Sequence, residues 1–71
     1  MTPRDTAFVV PFLDKDRVKD NLDLLVTLEP GLGYRLMVFG ADAVFVIYGP
    51  DTAQLSAAYW IIENVPGAKP W

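Results

Sequence analysis

The stretch YRLMVFGADAVFVIY, residues 34–48, decides the fold. Aromatic and β-branched residues on both sides of GADA read as two strands, Tyr34–Phe39 and Ala43–Tyr48. A two-residue type II′ turn centred on Gly40 and Ala41 joins them, because glycine tolerates the first central position. Side chains alternate between the two faces of a strand, so the turn fixes which residues stand together. Tyr34, Leu36, Val38, Ala43, Phe45 and Ile47 share one face. Arg35, Met37, Phe39, Asp42, Val44, Val46 and Tyr48 share the other. The first set carries no charge and is assigned to the helix side, with Phe8, Val10 and Phe12. The second set is largely apolar too, with no internal element left to cover it. A contiguous apolar patch of this kind marks an interaction surface. Arg35, Met37, Phe39, Val44, Val46 and Tyr48 are therefore candidate interface residues. The competing cover is the chain's own tail, VPGAKPW, with Trp71 laid on the sheet. A partner is preferred, because the tail is short and starts from the helix side.

Working outward, TAFVVPFL at 6–13 reads as a first strand, and Pro11 places it at an edge or near its own end. Asp14 is the expected N-cap of a helix from Lys15 to Leu28, with Leu13 and Val18 as a hydrophobic staple. Val18, Leu22, Leu25 and Val26 supply its apolar stripe, and Glu29-Pro30-Gly31 ends it. After the hairpin, GPDTAQ opens a second helix with Asp51 and Gln54 spaced as a capping box. Its expected inner stripe is Leu55, Ala58, Tyr59 and Ile62, and NVPG at 64–67 stops it. The element order is β-α-β-β-α. A β-α-β crossover whose gap is filled by the third strand gives a three-stranded sheet in order 1-3-2, both helices on one face. This α+β architecture resembles a ferredoxin-like fold truncated before its last strand. Residues 1–71 form one domain, with flexible ends over 1–5 and 66–71.

Composition narrows the function. The 71 residues include no cysteine and no histidine, which excludes disulfides and the usual structural zinc sites, so no metal or other cofactor is expected. Ser56 is the only serine and has no base in a recognisable motif, so no catalytic residue is assigned and an enzyme is not expected. The net charge of −3 argues against a nucleic-acid partner. No apolar run approaches the ~20 residues that span a bilayer, and the N-terminus does not read as a signal peptide, so a cytoplasmic protein without a membrane partner is expected.

Three further features each admit two readings. Asp16, Asp20 and Asp23 share a face of the first helix, but Lys19 among them favours a solvated charged surface over a cation site. Gly31-Leu32-Gly33 follows a helix and precedes a strand, the wrong context for a phosphate loop. Trp60 falls outside the expected inner stripe, which leaves it either an interface hot spot or a partly packed side chain. The expected function is a non-catalytic protein-binding module: a small inhibitor, adaptor or regulatory subunit, working through the outer sheet face or as a homodimer. In size and acidity the chain looks like phage-encoded or accessory inhibitors. The alternative is a regulatory domain with a small-ligand site at a dimer junction.

Overall fold

The computed structural model describes residues 5–71. Residues 1–4 of the expected N-terminal end lie outside the described residues. Strand β1 (Thr6–Pro11) leads through a single 3-10 turn, Phe12–Asp14, into helix α1 (Lys15–Leu28). The hairpin β2 (Gly33–Phe39) and β3 (Asp42–Tyr48) follows, then helix α2 (Asp51–Asn64) and a two-residue strand, β4 (Lys69–Pro70). The sheet runs in the order β2-β3-β1-β4, and every pairing is antiparallel.

The hairpin forms as its sequence dictates. Phe39 faces Asp42, leaving Gly40 and Ala41 as the turn. Gly40 takes φ +58° and Ala41 stays at negative φ, the combination a type II′ turn requires. β3 then slots between β2 and β1, with Phe45 opposite Leu36 on one side and Phe8 on the other. That register gathers Phe8, Val10, Ala43, Phe45 and Ile47 on the helix side, where they pack with Val18 and Leu22 of α1 and Ala57 and Ile61 of α2. Tyr34 and Leu36 border this core. Gly49 makes the exit from β3 possible. It sits at φ +127°, and a β-carbon there would stand 2.5 Å from the Gly31 carbonyl oxygen.

The three-stranded sheet is corrected to four strands. Pro70 faces Phe8 and Lys69 faces Val9, and the Trp71 amide donates to the Ala7 carbonyl at 3.0 Å. The stretch 66–71, read as an end, thus supplies β4, and β1 becomes an inner strand along that part. Nothing in the residues Lys-Pro signals a strand, since neither favours one. They pair with the open flank of β1, where the Ala7 carbonyl accepts from the Trp71 amide.

Side-chain detail also departs from the sequence reading at both helix starts. Leu13 is 94% exposed, so it forms no staple with Val18. Phe12 leaves the strand in the 3-10 turn and lies exposed, with the Lys15 ammonium 5.2 Å from its ring centre. Asp14 makes no side-chain cap. At α2 the cap position is Pro50, and Gln54 turns inward instead of closing a capping box. Its Nε2 donates to the Gly49 carbonyl at 2.8 Å, and its Oε1 accepts from the Thr6 hydroxyl at 2.7 Å.

The inner stripe of α2 is Ala53, Gln54, Ala57, Ala58 and Ile61. Leu55, Tyr59 and Ile62, expected inside, are exposed, and only Ala58 of the expected stripe is buried. The helix is apolar around most of its circumference, so periodicity gave its facing no firm direction. Packing chose the small side, where Ala53 and Ala57 let the helix backbone approach the sheet closely.

Candidate functional site

The outer face of the sheet is built in rows by the strand register. Phe39, Asp42 and Pro11 form the first row, and Met37, Val44, Val9 and Lys69 the second. Arg35, Val46 and Ala7 form the third, and Tyr48 stands beyond them opposite Gly33. Directly opposed residues in an antiparallel sheet present their side chains on the same side. Six of the seven candidate interface residues therefore share this surface: Arg35, Met37, Phe39, Val44, Val46 and Tyr48. Trp60 does not join them, because it lies on α2, half-buried and packed against the core on the opposite side of the sheet.

Exposure varies sharply within the six. Phe39, Tyr48 and Arg35 are exposed, and Met37 and Val46 are half-buried. Val44 is only 2% exposed. It stands on an inner strand between Met37 and Val9, and Trp71 lies beside it. The Trp71 ring reaches across to stack with Phe39, with 6.4 Å between ring centres and 29° between planes. The two rings, Val9, Val44 and Asp42 line a cleft of about 370 Å3. Trp71 remains 67% exposed, so its own outer face is open to contact. The tail and an exposed apolar surface thus coexist: Trp71 lies at the cleft over Val44 and against Phe39, and Phe39 and Tyr48 stay exposed.

Val9 and Lys69 belong to this surface although neither was a candidate, and Trp71, the competing cover, lies on it as well. Val9 was legible from strand alternation, since it lies between the inward Phe8 and Val10. Lys69 had no readable signal, because its place follows from β4.

Elsewhere the charged groups pair locally. Asp23 accepts hydrogen bonds from the Tyr34 hydroxyl and from Lys19, the latter at 2.9 Å. These two bonds, Tyr34's first, hold its carboxyl below the ordinary carboxylate range. Burial, and then the bond to Asp23, pushes the Tyr34 phenol up. Asp16 pairs with Lys15 at 2.8 Å. Arg17 of α1 donates to the Asn64 carbonyl at 2.6 Å, placing a cation at the negative end of α2. Among the described residues, no three metal-ligating side chains converge.

A second cleft of about 380 Å3 runs beside α2, lined by Thr6, Asp51, Gln54, Leu55 and Ala58. Comparison with protein-family models, curated proteins and solved structures found no match to this chain.

Proposed function

We propose that this chain is a non-catalytic protein-binding module, an inhibitor, adaptor or regulatory subunit, that docks its partner on the outer face of the sheet. One observation carries the reading: Phe39 and Trp71 stand exposed at a cleft over the buried Val44, with Tyr48 exposed further along the same face. Aromatic side chains on a well-packed floor are the usual anchors of protein interfaces, because they bury large area at small entropic cost. A ferredoxin-like reading of the fold accompanies this proposal. The order β2-β3-β1-β4, with the chain order β-α-β-β-α-β, supports it, β4 taking the place of the strand expected to be missing. Fold alone would not carry the function. The lack of histidine and cysteine favours binding over catalysis.

The alternative, a small-ligand regulatory domain, draws on the cleft beside α2, whose volume lies in the range of ligand sites. It is the weaker reading, because the polar groups of Gln54 there are already engaged by Thr6 and Gly49. No helix among the described residues is long and apolar enough to cross a membrane.

The test is affinity capture from the native cell with two variants. Phe39→Lys is expected to keep the wild-type circular dichroism and melting curve within roughly 1 kcal/mol, since the residue is exposed, and to lose the partner. Phe45→Ala, which empties a fully buried site, is expected to cost about 3–5 kcal/mol. Retention of the same partner by Phe39→Lys would remove the outer face from the proposal.

A further inference from the structure

We propose that the cleft between Phe39, Asp42 and Trp71 receives an arginine side chain supplied by the docked partner protein. The inference rests on the protein-docking reading and adds the chemistry of what enters the face. Two aromatic rings, stacked on each other with centres 6.4 Å apart, border the cleft and leave their outer faces open. Their π-faces attract cations, and a planar guanidinium stacks on such rings better than a compact, strongly hydrated ammonium. Val9 and Val44 offer an apolar floor for the alkyl stem of the side chain. Asp42 supplies the carboxylate to which a guanidinium donates in parallel hydrogen bonds.

Asp42 is exposed at the end of the hairpin. Among the described residues its carboxylate makes no ion pair. Lys69, on the same face beside Val9, is separated from Asp42 by a strand position and a row, and the two are not paired. An anion fits the cleft poorly, because the indole N–H of Trp71 is the only side-chain donor in its lining. A second copy of this chain could present its exposed Arg35, but two chains of net charge −3 repel each other, whereas a basic partner is drawn in. The occupant is therefore an arginine of a different protein.

The experiment uses the full chain, labelled with nitrogen-15, titrated with the capped tripeptide Ala-Arg-Ala and with the same peptide carrying citrulline, the neutral isostere of arginine. The arginine peptide is expected to shift the Trp71 indole and Phe39 amide resonances. Citrulline, or Asp42→Asn in the protein, is expected to weaken that binding by about five-fold, the effect of one exposed ion pair near 1 kcal/mol. Equal binding of both peptides, or no shift at Trp71 and Phe39, would overturn the proposal. Light scattering that shows a dimer dissolved by Arg35→Ala would overturn the assignment to a different protein. Where a captured partner is lost by Phe39→Lys but held with full affinity by Asp42→Asn, the arginine site falls and docking stands. Where the partner is indifferent to Phe39→Lys, docking falls, and the partner-supplied arginine falls with it.

Discussion

Val44 and Phe45 are adjacent in the chain and both are buried, for different reasons. Phe45 lies under the helices, with Leu36 and Phe8 on the strands beside it. Val44 points the other way and is closed over by its row neighbours and the tail. Strand alternation made their opposite directions legible. It could not reveal the burial of Val44, which stands between Met37 and Val9 in a cleft that Trp71 also lines. Tyr34 shows a second limit. Its inward face was readable from parity, but its hydroxyl partner lies eleven residues back on α1, and only the packed helix brings Asp23 to it. That contact makes a pH prediction. Because the Asp23 carboxyl is held below its ordinary value of 3.8, the stability it contributes is present above that value and is lost as pH falls through the lowered one. Tyr34 has the opposite sign: its raised phenol leaves stability intact below the ordinary value of 10.0, to be lost as pH rises beyond it. In Tyr34→Phe, carbon-13 NMR is expected to show the Asp23 carboxyl titrating closer to 3.8 than in the wild type. An unchanged titration would mean that the hydroxyl contact does not form in solution.

At the scale of elements, what could be read tracks how one-sided each element is. The hairpin gave strands, turn and facing together, because Gly40 fixes the turn and the turn fixes parity. Helix α1 buries Val18 and Leu22 of its expected stripe, since charged residues occupy its other side. Helix α2 was placed correctly in the chain but turned the wrong way, because apolar residues surround it and only contact with the sheet decides which are covered. Strand β4 had no local signal at all. It exists because β1 offers an unfinished edge, and this dependence is testable. The Ala7 carbonyl faces β4, so the alternate residue Val9 turns its amide to the same side, while Phe8 and Val10 face β3. Removal of residues 68–71 is expected to speed hydrogen exchange at the Val9 amide by far more than at Phe8 or Val10. Equal acceleration at all three would show that the tail supports the whole sheet and not that edge alone.

Across the whole molecule, the apolar side chains left exposed among the described residues include the aromatic rim of the outer sheet face, the outward stripe of α2 at Leu55, Tyr59 and Ile62, and Leu24 and Leu28 of α1. A chain of 71 residues has few means of covering them all, since small domains bury a limited share of their surface. The rim is assigned to the partner because it combines aromatic anchors, a buried floor and the Asp42 carboxylate, whereas the stripe lies on a single helix and lines no comparable aromatic cleft. The most direct measurement is an NMR footprint of the full chain bound to the partner captured from its native cell. Binding on the outer face predicts that the largest changes fall on Met37, Phe39, Val46, Tyr48 and Trp71, with Leu55, Tyr59 and Ile62 undisturbed. Changes confined to Leu55, Tyr59 and Ile62 would contradict the account and move the docking surface to the other side of the molecule.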